Sequence, residues 1–85
     1  MIATRDIVSN LYSVPMFVPS IGGAIRAFGD ECQRDEKNNS LFQHPEDYEL
    51  WHLGEYDDNN GTILVYSQEE RKQIAVGANY RRSIK

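Results

Sequence analysis

His44, Glu46, Asp47, Glu49 and His52 crowd one short span, the only place where imidazoles and carboxylates gather in this chain. Such side chains hold metals when their spacing lets them converge, but this spacing fits neither a zinc nor a calcium pattern. Cys32 is the single cysteine, so an internal disulfide is impossible and a thiolate-rich metal site is excluded. A serine or cysteine nucleophile needs a base and an orienting group beside it, and no spacing here offers that set. The expectation is a protein that is not an enzyme, with no catalytic residue, no metal and no cofactor. His44, before Pro45, reads as a turn residue, and His52 as a residue of the more exposed face of a strand.

The remaining chemistry is charge and stacking. From Asp30 to Asp58 there are ten acidic residues against Arg34 and Lys37, whereas the chain from Arg71 onward carries five basic residues and no acid. Arg71, Lys72, Arg81, Arg82 and Lys85, with Tyr80 among them, form a candidate nucleic-acid contact: cations for phosphates and one ring for a base. A net charge of −4 excludes coating of nucleic acid by bulk positive charge. Glu46 and Asp47 serve either as a solvated first helical turn or as an acidic patch for a basic partner protein. Trp51 offers a stacking surface if it stands exposed beside Tyr48 or Tyr66; otherwise it packs in the core with Leu50, Leu53, Ile63 and Val65.

The elements that position these groups follow from periodicity. Ile21, Ala24, Ile25, Phe28 and Cys32 recur at steps of three and four, which places a helix over Pro19–Arg34 with Ser20 as its N-cap. Gly22, Gly23 and Gly29 each weaken it by about 1 kcal/mol, so it needs a sheet against its Ile25–Phe28 side. Ile2 to Val8 alternates as a strand, and the proline-bracketed Val14–Pro19 reads as an edge strand or extended arm. Pro45 can open one helical turn. Tyr48–Tyr56 and Thr62–Tyr66 read as strands of a hairpin about the Asp57–Gly61 loop, with Gly54 a candidate bulge. Ser67 and Glu70 have capping-box spacing and predict a short helical turn, followed by a short strand over Ile74–Val76. A chain of 85 residues has a thin margin of stability, which makes self-association the expected reinforcement. No run is apolar enough to span a membrane, and MIATRDIVSN lacks the pattern of a secretory signal, so a reducing cytosol is expected.

The segments AIRAF followed by Gly29 and Asp30, then HPEDYEL, then LGEYDD with Gly61 stand in a fairly specific order. Across roughly Pro15–Val65 the chain resembles the small nonstructural protein of gokushoviruses, tailless single-stranded DNA phages of the microvirus group. The resemblance implies a phage protein absent from the finished capsid, with a role in viral DNA replication, and it supplies no catalytic residue.

The expectations are therefore as follows. The fold is α+β: one main α-helix packed on a small, mostly antiparallel β-sheet, with a C-terminal β-hairpin and a basic tail. Residues 1–77 form a single domain and 78–85 a flexible basic tail. The protein is a homo-oligomer in the host cell cytoplasm, touches no membrane, and assists single-stranded DNA replication by weak DNA binding or by binding host or phage replication proteins. The alternative is a protein–protein adaptor with no direct DNA contact, acting through Glu46, Asp47 and an exposed hairpin.

Overall fold

Ser20 starts the helix: its Oγ accepts from the Gly23 N–H at 3.0 Å, and α1 runs from Ile21 to Gln33. The computed structural model describes residues 1–80. Around α1 the chain forms β1 (Ile2–Asp6), β2 (Leu11–Tyr12), the short helix α2 (Ser40–Gln43), β3 (Tyr48–His52), β4 (Gly54–Asp57), β5 (Thr62–Val65) and β6 (Lys72–Val76). Single 3-10 turns cover Pro45–Asp47 and Gly77–Tyr80.

The main sheet is antiparallel, in the order β2-β1-β3-β6. Its inner face brings Ile2, Leu50 and Ala75 against Ala24, Phe28 and Cys32 of α1, and these six make the buried core. Ile25 packs half-buried at its border. The extended arm is tied to this sheet at one point, where Ile2 and Met16 exchange backbone hydrogen bonds of 2.8 Å in both directions. The C-terminus of α1 is closed by Asn39, a buried polar residue. Its amide donates to the carbonyls of Glu31 and Arg34 at 2.8 Å each, while its Oδ1 accepts from the Leu41 N–H that opens α2.

The strand expected over Tyr48–Tyr56 is broken at Leu53, whose N–H donates to Met1 O and whose carbonyl accepts from Tyr66 N, both at 2.8 Å. Beyond that corner β4 leaves the main sheet and pairs with β5 as a separate two-stranded ribbon. Among the described residues no helix packs over this ribbon, and Ile63 and Val65, expected in the core, are 54% and 60% exposed. The ribbon turns through Asp57–Gly61, with Gly61 at φ 67° and its N–H bonded to Asp57 O at 2.8 Å. It is not the last element, because β6 follows and returns to the main sheet beside β3.

Ser67 and Glu70 do make the reciprocal capping pair, Ser67 N to Glu70 Oε1 at 3.1 Å and Glu70 N to Ser67 Oγ at 3.2 Å. The Ser67 backbone N–H, followed by the Ser67 hydroxyl, holds the Glu70 carboxyl below its ordinary pKa. The expected single turn follows, closed by Arg71 N to Ser67 O at 3.0 Å, and it ends before Lys72, which pairs with His52 in the sheet. Ala78–Tyr80, expected as the start of a frayed tail, instead belong to the 3-10 turn that packs on α1. There the Tyr80 ring meets Phe28 edge-on at 6.0 Å and occupies the space beside Gly29 where a side chain would sit.

Candidate nucleic-acid interface

Pleating sends alternate residues of a strand to opposite faces, and directly opposed residues share a face. Arg5 stands opposite Tyr12 on β2 and Glu49 on β3, and Ala3 stands opposite Trp51. The face turned away from α1 therefore carries Arg5, Tyr12, Glu49 and Trp51. The segment ahead of β6 adds Gln68 and Arg71, and the turn between β1 and β2 adds Asn10, at φ 62°. Arg5, Asn10, Tyr12, Trp51, Gln68 and Arg71 line an open cavity of about 370 Å³.

Within it, the guanidinium carbons of Arg5 and Arg71 lie 5.8 and 5.7 Å from the centre of the Tyr12 ring. Trp51 meets the same ring edge-on, with centroids 6.2 Å apart. Arg5 is held in place by Glu49 at 3.3 Å and by Asn10 Oδ1, and Glu49 also accepts from the Trp51 indole N–H at 3.0 Å. Arg71 differs: its Nε is buried with no hydrogen-bond partner among the described residues. Through its described lining residues the cavity thus offers two cations, two rings and two amides, with the Glu49 carboxylate behind them paired to Arg5 and to the Trp51 indole. It has the makings of a stacking platform beside phosphate ligands.

Of the residues expected to contact DNA, Arg71 lies in this cavity. Lys72 is exposed on the edge strand β6. Tyr80 is half-buried, its ring edge-on against Phe28 at 6.0 Å and away from this cavity's lining. Arg81, Arg82 and Lys85 lie outside the described residues. Glu46 is exposed and Asp47 half-buried in the Pro45–Asp47 turn, where the Asp47 carbonyl accepts from Ile7 N at 2.9 Å. Trp51 is half-buried on the outer face, beside Tyr12 rather than Tyr48 or Tyr66. His52 instead meets Tyr66 edge-on at 5.1 Å.

Sequence reasoning passed over Arg5 and Tyr12. Ser9-Asn10 was the available signal: as a hairpin turn it returns the chain so that Tyr12 falls opposite Arg5. The Cys32 thiol is 1% exposed, and burial followed by the charge of Glu31 pushes it up from 9.0 to about 11, so it is a packing group at neutral pH. Among the described residues no three histidine, cysteine, aspartate or glutamate side chains gather in a metal-holding group.

A family model described as phage ORF5 protein matches residues 1–80. The chain belongs to this phage family. No curated protein and no solved structure matches this phage protein. Among its described residues no helix is long and apolar enough to cross a membrane.

Proposed function

We propose that this phage protein is a non-enzymatic accessory factor in the replication of a single-stranded DNA genome, of the gokushovirus type that it resembles. It acts in the host cell cytoplasm by holding single-stranded DNA weakly, with a base against Tyr12 or Trp51 and the neighbouring phosphates against Arg5 and Arg71. The observation that carries this reading is the cavity itself, where the guanidinium groups of Arg5 and Arg71 both lie within 6 Å of the centre of the Tyr12 ring, Arg5 being paired with Glu49. Affinity is low because the whole chain carries −4 and the described residues lining the cavity include two cations. Self-association would place several such cavities on one strand.

Trp51 is the chain's only tryptophan, so its fluorescence reports on the site directly. Titration with oligothymidylate is expected to quench it saturably. Two phosphate contacts predict that a fourfold rise in salt weakens binding about sevenfold. Arg71→Ala should abolish the quenching, whereas Lys72→Ala should leave most of it. A Trp51 signal indifferent to oligonucleotide at low salt would overturn the reading.

The exposed β4–β5 ribbon is the observation favouring the adaptor reading, in which a host or phage replication protein is held without DNA. A partner retained after nuclease treatment by Arg71→Ala but lost on changing Glu46 and Asp47 would support it.

A further inference from the structure

The β4–β5 ribbon is two strands wide; among the described residues no further strand pairs with either edge, and the β4 edge is touched at its base, where Gly54 O accepts from the Met1 ammonium at 2.7 Å. All four residues of β5 are exposed, as are Glu55, Tyr56 and Asp57 of β4. Two-stranded ribbons are marginally stable by themselves. Proteins also guard exposed edges with lysine, proline or a bulge. Thr62-Ile63-Leu64-Val65 carries none of these guards. An unguarded, uncharged, β-branched edge is built to be paired.

The register separates the ribbon's two faces. Gly54 opposes Val65 and Tyr56 opposes Ile63, which makes one face apolar. Phe17 extends that face, its ring meeting Tyr56 at 5.7 Å, and Phe17, Tyr56, Ile63 and Val65 are all more than half exposed. Glu55 opposes Leu64 and Asp57 opposes Thr62, so the acids lie on the other face, both of them on β4.

We propose that β5 is the seam of a homodimer, paired antiparallel with β5 of a second copy about a two-fold axis perpendicular to the ribbon. Charge selects this occupant. Pairing through β4 would bring the carboxylates of two copies to about 5 Å, the spacing of neighbouring strands. Pairing through β5 gives the order β4-β5-β5-β4 and separates them by three strand spacings, about 14 Å, beyond the Debye length of about 8 Å in physiological salt. Nucleic acid is repelled from the same ribbon by Glu55, Asp57 and Asp58. The axis follows from the faces: directly opposed residues share a face, and with Leu64 opposite itself the apolar faces of both copies are continuous and Ile63 and Val65 each oppose an apolar residue of the other copy, whereas centring on Ile63 or Val65 sets one of them against Gly61 or Ser67. The contact is isologous and closes at two copies. It lies outside the Arg5–Arg71 cavity, so the dimer and the DNA reading stand or fall separately.

The experiment is sedimentation equilibrium on the full chain with three variants. The wild-type chain is expected at twice its monomer mass, and Val65→Lys at monomer mass with unchanged far-UV circular dichroism and unchanged Trp51 quenching by oligothymidylate. Opposed Cα atoms in an antiparallel pair lie about 4.5–5.5 Å apart, inside the range a disulfide spans. Leu64→Cys should therefore oxidise to a covalent dimer, and Tyr56→Cys should not. Cys32, being buried, does not compete. A wild-type monomer at the highest attainable concentration overturns the proposal. So does a dimer that survives Val65→Lys, or one cross-linked through Tyr56→Cys but not Leu64→Cys.

Discussion

Asn39 is a buried side chain whose amide faces three backbone groups at once: it donates to Glu31 O and Arg34 O and accepts from Leu41 N. The carbonyls it satisfies belong to the end of α1, and the N–H to the start of α2. Asn39→Asp keeps the shape and the acceptor but removes both donors, setting a carboxylate against two carbonyl oxygens. Thermal unfolding at neutral pH is expected to show a loss of about 3 kcal/mol. The introduced carboxyl is pushed above its unfolded pKa by those carbonyls, so the folded variant favours the protonated form. Its deficit should therefore shrink as pH falls toward 4, relative to the wild-type chain at the same pH. A deficit that does not change with pH would contradict the hydrogen-bond assignment. In the sequence Asn39 is one of a polar run, DEKNNS, that marks a loop. Nothing local distinguishes it from Asn38, because its partners lie up to eight residues away across a helix end.

Elements differ in how much of their setting is local. The N-terminal turn of α1 is local: Ser20 bonds Gly23, and the space beside Gly22 is empty. Gly22→Ala should raise stability by about 0.5–1 kcal/mol through helix propensity alone. Gly77 is the opposite case. A Cβ there would overlap the Pro45 carbonyl and come within 3.0 Å of Tyr48 O, because the two 3-10 turns meet backbone to backbone. Gly77→Ala is expected to lower stability by more than about 2 kcal/mol. Urea unfolding of the two variants should move the midpoint in opposite directions, and a shift of the same sign in both would refute the close approach at Gly77. Both residues read as ordinary glycines in the sequence, one near a helix start and one after a strand.

At the scale of the molecule, burial is uneven. The helix and the main sheet share the six-residue core, while the β4–β5 ribbon buries no residue but Gly54. Local opening follows buried contact, so backbone amides of β4 and β5 should exchange with solvent faster than those of β1 and β3 in dilute protein. If β5 pairs with a second copy, its protection rises with protein concentration while that of β1 does not. Hydrogen exchange measured at two concentrations tests both statements, and equal protection throughout the chain would sink the first.

By itself the sequence determined what depends on neighbours in the chain: the helix from its apolar steps and serine cap, the Asp57–Gly61 turn, the strand character of Ile2–Asp6 and Thr62–Val65, and the Ser67–Glu70 pair. Tertiary structure alone decided which strands share a sheet. A corner at Leu53 sends β4 away from the helix, and the same alternation that predicts a buried Ile63 and Val65 then leaves them in water. Periodicity gives the two faces of a strand but not what lies against either one. For the same reason the cavity was out of reach: Arg5, Tyr12, Trp51 and Arg71 come from four segments spread over most of the chain, and only the order β2-β1-β3-β6 gathers them.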